Sequence, residues 1–420
     1  MTPATISRRI AICAFIGGLG GGLVFPILPA LGLHLGIPSI MIGLILSANR
    51  IARLIFNVPA GHIIGRLGPR LVLSAALLVE CAGVLCYSAA LHFGDAMWWL
   101  LGGRLVFGVG TAFMMVGAQA AVLSLSERED RGRRTAVVRV AMSAALPTGL
   151  LLGGVLADIF SDDAAFLAGA AITLFGGIFA AAFLPPGPGR SRVRASGSME
   201  KGALSSLLTS PNLPFLAAAW GLNLLVFLTM QGVLLTTMVL LVQNRGIHMF
   251  GMQAQGTSGL VMAVLVGCSA VAAFVVGRAI DRMPLRATPL LPSLAGMAAG
   301  FAVLAVAHTL AITLVGTVLI GLSYNAVTLP MLALLGDAVS HRLHGPAVGV
   351  YQFFGDVGGT IGPIAGIEIA ANIGLLPLYF AMAALPALAI IIAVWLRGRE
   401  RMLHATTRRA GTESEPGREC

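Results

Sequence analysis

The chain has 420 residues, of which 57% are hydrophobic and 10% charged, with a mean hydropathy of +0.91. Soluble domains carry about 25% charged residues, so this composition excludes an ordinary soluble protein. The formal net charge is +10, but the basic residues sit in every second loop, the pattern of cytoplasmic loops rather than of a nucleic-acid-binding surface.

Apolar runs of roughly 20 or more residues, long enough to cross a bilayer, recur along the whole length. They do not alternate apolar and polar residues as the strands of a membrane barrel would. The expected fold is an all-α polytopic membrane protein with twelve transmembrane helices, at 10–33, 38–64, 71–92, 97–123, 137–160, 164–184, 213–242, 256–280, 287–308, 311–336, 346–372 and 374–396. Loops after even-numbered spans hold Arg66 and Arg70; Arg128, Arg131, Arg133 and Arg134; Arg190, Arg192 and Arg194; Arg278, Arg282 and Arg286; and Arg342. Arg397, Arg399 and Arg401 follow the last span, whereas the opposite loops carry Asp95, Asp158, Asp162, Asp163 and a single arginine, Arg245. The positive-inside rule then puts both termini in the cytoplasm. Lys201 is the only lysine; that bias fits a GC-rich bacterium, and the expected location is a bacterial inner membrane.

Span 1 follows Ser7-Arg8-Arg9. Its apolar run is too long for a secretory h-region and lacks a small-residue cleavage site, so it reads as a retained helix. Gly17, Gly18, Gly20, Gly21 and Gly22, then Pro26, permit close packing and a bend. Span 2 lies in Ile40 to Arg70 and carries Arg50 and Arg53 near its middle. At 100° per residue, Asn49, Arg53 and Asn57 share one face, a turn apart. An arginine mid-membrane costs about 2.5–3.5 kcal/mol on insertion scales, so Arg53 predicts an interior that water, substrate or a counter-charge can reach. Arg50 lies about 60° off that face. Glu80 in span 3 is at comparable depth, and two readings are open: a fixed pair with Arg50, or a proton carrier. Arg104 in span 4 is open between a structural tie to Asp158 or Glu368 and a place on the substrate path.

The polar stretch 185–212 reads as a cytoplasmic linker between an N-terminal six-helix bundle, 1–184, and a C-terminal one, 213–396. Asn223 and Gln231 in span 7, Tyr324 and Asn325 in span 10, and Gln352 in span 11 either line a cavity or make interhelical hydrogen bonds. Asp356 lies roughly 15 Å into span 11 and Arg53 roughly 16 Å into span 2 from the cytoplasmic side, a matched depth for opposite charges. Glu368, near the outer end of span 11, is expected to snorkel to water. The segment 397–420 is expected to be a disordered cytoplasmic tail. Five cysteines, Cys13, Cys81, Cys86, Cys268 and Cys420, have no metal-ligand spacing. No phosphate-binding Gly-x-x-x-x-Gly-Lys loop occurs. Neither a metal site nor a cofactor is expected, and no catalytic triad stands out.

The two halves repeat. VPAGHIIGRLGPR matches VVGRAIDRMPLR with Gly61 on Gly277; GRLVFGVGTA matches GTVLIGLSYN with Gly108 on Gly321; GLLLGGVLAD matches GPIAGIEIAA with Gly149 on Gly362, at offsets of 213 to 216. Two parallel six-helix repeats around a midplane cavity form a transporter architecture.

These residues resemble the major facilitator superfamily along nearly the whole chain. Its loop motif, Gly-x-Leu-Ala-Asp-Arg-x-Gly-Arg-Arg, is represented by Gly61, Arg66, Gly68 and Arg70, with Gly65 at the acidic position and Pro69 at a basic one. The second copy keeps Gly277, Asp281 and Arg282, with Pro284 for the second glycine. In the family this loop acid docks on a helix of the opposite half and latches one conformation; the resemblance assigns that role to Asp281 and denies it to Gly65. Arg104, Gly108 and Gly110 match a second motif, associated in drug:proton antiporters with proton handling. The antiporter motif Gly-Pro-x-x-Gly-Gly is approximated by Gly149, Gly153 and Gly154 without the proline, and in span 11 by Gly362, Pro363 and Gly366. Spans 2 and 11 face each other in the family, which implies an Arg53–Asp356 pair between the halves; a permanent structural pair, or separate polar partners, are the other readings.

The resemblance implies secondary transport by alternating access in a monomer, as proton-coupled export of small, partly hydrophobic compounds. Two mid-membrane arginines favour instead an anionic metabolite, and carboxylates with asparagines would also serve a hard metal cation. A reading of another class is a transporter-like membrane protein used for sensing or assembly. An enzyme has no support in the residues.

Overall fold

The computed structural model describes residues 3–124, 131–186, 203–210, 212–249, 251–280, 283, 285–339 and 343–413. Span 1 is two helices, α1 (Pro3–Leu23) and α2 (Leu28–His34), parted beside Pro26. There follow α3 (Ser39–Leu67), α4 (Pro69–His92), α5 (Ala96–Ser124), α6 (Arg131–Ile159), α7 (Asp162–Phe183) and a short α8 (Ala203–Leu208) inside the expected linker. Span 7 is α9 (Leu213–Val226), a π-helical segment (Phe227–Leu234) and α10 (Leu235–Asn244). The chain ends with α11 (Ala254–Ile280), α12 (Leu290–Ala305), α13 (Leu310–Ala338), α14 (His344–Asn372) and α15 (Leu375–Glu413).

Ten of the twelve expected spans are long and apolar enough to cross a bilayer by that measure alone. The other two have physical explanations. Helix α12 has 16 residues because Arg245 ends it, donating to the carbonyls of Leu304 at 3.2 Å, Ala305 at 2.6 Å and Ala307. Burial lowers the pKa of that guanidinium from its ordinary value, and Tyr379 works weakly the other way. Helix α14 has the length, 29 residues, but Gln352, Asp356 and Glu368 dilute its apolarity.

The repeat in the sequence reappears as packing. Gly108 of α5 rests on the Asn49 carbonyl of α3, and its counterpart Gly321 of α13 rests on the Leu265 carbonyl of α11. Gly83 meets Gly103 between α4 and α5, as Gly300 meets Gly316 between α12 and α13. Gly149 and Gly153 let α6 touch the α1 backbone at Leu19 and Leu23; Gly358 and Gly362 let α14 touch Leu224 and Gly232. At each, a Cβ would fall within 3 Å of backbone, so only glycine permits the approach.

The halves meet along α3 with α14 and α6 with α11. Gly43 packs on Pro363 and Ile364, the Ser47 hydroxyl donates to the Thr360 carbonyl at 2.6 Å, and Gly154 packs on Gln255 and Gly259. These contacts lie toward the helix ends away from the arginine-bearing loops. Nearer those loops, Gly277, Gly336 and Gly349 have nothing within 4 Å of a Cβ position.

One expectation is corrected here. The stretch after residue 396 is helical as far as Glu413 rather than disordered. Its anchor is Glu400, buried, whose carboxylate accepts from the backbone amides of Arg286 at 2.7 Å and Ala287 at 3.0 Å. A carboxylate on two turn amides is a charge-assisted cap, and composition alone did not reveal it. Asp281 and Arg282 of the second loop motif lie outside the described residues.

Candidate functional site

The charged centre sits where α3 crosses α14. Arg50 and Arg53 are three residues apart on α3 and converge on one oxygen of Asp356, each at 3.9 Å. At that separation these are charge contacts rather than hydrogen bonds. The cluster spans the two halves and carries two guanidiniums for one carboxylate.

The two arginines are held differently. Arg50, with 12% of its side chain exposed, donates from Nη2 to Gln231 Oε1 at 2.8 Å. Gln231 in turn donates to the Tyr324 hydroxyl at 2.7 Å. Gln231 belongs to the π-helical segment, whose extra residue per turn rotates side chains relative to an α-helix, a distortion common at functional sites. Gly359 completes the seat: a Cβ there would lie 2.5 Å from Arg50 Nη1. Arg53 is 25% exposed, and its Nε has no hydrogen-bond partner among the described residues. Arg50 is thus fixed, and Arg53 is the cation with donors to spare.

Around this centre the expected residues divide. Gln352, one turn from Asp356, is exposed, and Asn57, one turn from Arg53, is partly buried. The Asn49 carboxamide oxygen is buried without a partner among the described residues. Asn223 and Asn325 are ties between helices: Asn223 donates to the Tyr351 carbonyl at 2.6 Å, and Asn325 to the Ser269 carbonyl at 2.7 Å. The loop residues Arg66 and Arg70 are exposed and Gly68 is buried at a positive φ of 80°.

Two expected pairs do not form. Arg50 turns to the opposite half, so it leaves Glu80 without the pairing the sequence suggested. Glu80 is fully buried between α4, α5 and α1, against Gly110 and Gly17. The adjacent Thr111 hydroxyl gives its hydrogen to the Phe107 carbonyl at 2.9 Å, and neither Glu80 oxygen has a hydrogen-bond partner among the described residues. Arg104 reaches neither Asp158 nor Glu368. It donates to the carbonyls of Ile45 at 3.4 Å and Leu46 at 3.1 Å, with its guanidinium 5.7 Å from the Phe25 ring centre. Glu368 does not snorkel either; it accepts from the Ser39 hydroxyl and from Asn372 Nδ2, the latter at 2.7 Å.

Sequence reasoning missed Gly359 and Ser47. The Gly358-Gly359 pair just after Asp356 was the available signal: adjacent glycines one turn from a membrane carboxylate mark a close approach.

The family model for the Major Facilitator Superfamily matches residues 10–267 and 248–417. Multidrug resistance protein 1 of Bacillus subtilis is 26% identical over 156 residues, 37% of this chain and 39% of that protein. Inner membrane transport protein YajR of Escherichia coli is 25% identical over 197 residues, 46% of this chain and 42% of that protein. The chain thus spans about two fifths of the length of these curated relatives. A bacterial homolog of the human lysosomal transporter Spinster, solved inward-facing and occupied, superposes with a TM-score of 0.76 at 12% identity, covering 95% of this chain and 98% of that one. The nucleoside transporter NupG gives 0.76 at 12% identity over 93% and 99%. Helices, internal repeat and family match agree: this chain is an integral membrane transporter, not an enzyme, and it belongs to the major facilitator superfamily.

Proposed function

We propose that this transporter moves small, partly apolar compounds bearing a negative charge, and that a proton on Asp356 travels with them. The observation that carries this is the convergence of two guanidiniums on one carboxylate across the interface. An anion that engages Arg53 competes with Asp356 for positive charge. Asp356, losing its counter-charge, then binds a proton, and by linkage a proton on Asp356 favours the anion equally. Loading both weakens the tie between α3 and α14 and lets the halves rock. The cluster lies on the side of the tight Ser47–Thr360 contact that faces the arginine loops, which fits access from the cytoplasm if those loops are cytoplasmic. Apolar neighbours such as Phe227, tilted against Tyr324 with ring centres 5.9 Å apart, suit a partly hydrophobic ligand.

A second reading is proton-exchanged export of partly hydrophobic compounds in a bacterial inner membrane. It is motivated by the relatives named for multidrug resistance. The two differ in sign. In liposomes holding the purified protein, co-transport predicts that acid outside drives uptake of an anionic probe. Exchange predicts that acid inside drives uptake, with cationic or neutral probes preferred. Gradient-independent flux of every probe class would refute both.

A further inference from the structure

At the end of the bundle away from the arginine loops, two helices begin without an acid in their own first turn. Helix α3 starts at Ser39 after Pro38, which supplies no side-chain cap, and α11 starts at Ala254. Each N-terminus faces a carboxylate from the opposite half. Glu368 of α14 accepts from the Ser39 hydroxyl. Asp158 of α6 presses on the first turn of α11, its Oδ2 lying 2.5 Å from where a Cβ on Gly256 would be. Asp162, at the start of α7, lies beside the Gln255 side chain.

Two features make this more than incidental contact. Glu368 and Asp158 each sit in the last turn or so of their own helix, where the macrodipole disfavours negative charge. Their placement is favourable only because another helix begins opposite. The two contacts are also approximate counterparts: Asp158 and Glu368 are 210 residues apart, within one helical turn of the 213-residue offset between Gly149 and Gly362. Ser39 and Gln255 are 216 residues apart, the offset that relates Gly61 to Gly277, and α6 and α14 are the repeat pair carrying Gly149 and Gly362.

We infer that Asp158 and Glu368 form a pseudo-symmetric, two-point latch, in which each half supplies an acid to a helix N-terminus of the other and so holds this end of the transporter shut. The latch is independent of the Arg50–Arg53–Asp356 cluster and of the proposed substrate. It is a charge–dipole device rather than a salt bridge, so it closes without burying a cation.

The test uses spin labels at Phe160 and Ile373, exposed positions on opposite halves at this end, in the full chain with its native cysteines replaced, and reads the distance distribution. The Asp158→Asn and Glu368→Gln changes should each shift the closed-to-open ratio toward open by about threefold. Together they should shift it about tenfold, which is about 1.4 kcal/mol. Glu400→Gln, which removes an acid capping amides within one half, should lower the melting temperature and leave the distances alone. Should the double variant fail to fold, Gly256→Ala pushes Asp158 away and should open this end, whereas Gly267→Ala on the same helix, with nothing within 4 Å of its Cβ position, should not. A wild-type distribution in the double variant, or in Gly256→Ala, overturns the latch.

Discussion

Two carboxylates lie deep among the membrane helices, Asp356 and Glu80, and their surroundings could hardly differ more. Asp356 is 16% exposed and sits at the seam between the halves with two guanidiniums converging on one of its oxygens. Glu80 is fully buried within one half, and no cation pairs with it among the described residues. Burying an isolated polar group in such a place is costly, so its surroundings are part of the packing of that half. The difference teaches where function resides in this fold. A charge at the seam has partners that move away when the halves rock, so its electrostatics change during the cycle. A charge inside a half moves with its surroundings and experiences one environment throughout.

The comparison can be broken most decisively at Asp356. Asp356→Asn leaves two guanidiniums without a counter-charge, a loss of about 3–5 kcal/mol for a buried pair. Gradient-driven transport in liposomes should fall by about a hundredfold or more. Next comes Arg53→Ala, which should abolish transport of anionic probes while cationic or neutral flux persists; Arg53→Lys, keeping the charge but not the fork of donors, should recover part of it. Gln231→Ala removes the hydrogen bonds that seat Arg50, each worth about 1–3 kcal/mol where a buried partner is left unsatisfied. It should raise KM about tenfold with a smaller effect on the maximal rate. The smallest effect is expected at Glu80→Gln, which keeps the shape of a side chain buried within one half. Its unfolding free energy should stay within about 1 kcal/mol of the parent and its transport within about twofold. Loss of coupling in that variant would erase the distinction between seam and core.

Much of this was legible before the structure. Apolar run lengths located the helices, and glycine spacing exposed the repeat. Arg53 and Asp356 could be matched by depth because helical rise is constant. What the sequence did not disclose were directions around helices several residues wide. Arg50 is only about 60° from Arg53, close enough for either neighbour, and the choice between Glu80 and Asp356 depends on side-chain reach. The π-helical turn at Gln231 has no signature in composition. Glu368 read as a solvent-seeking acid and Glu400 went unread because their partners are hydroxyls and backbone amides of segments distant in sequence, and amides carry no residue-type signal.

Proton exchange on ligand binding tests the central claim most directly. Mixing the purified, weakly buffered transporter with a saturating anionic ligand should take up on the order of one proton per protein, since the ligand displaces Asp356 from its two cations, and the Asp356→Asn variant should take up none. Proton release by the unaltered protein, or equal uptake by both, would contradict the account.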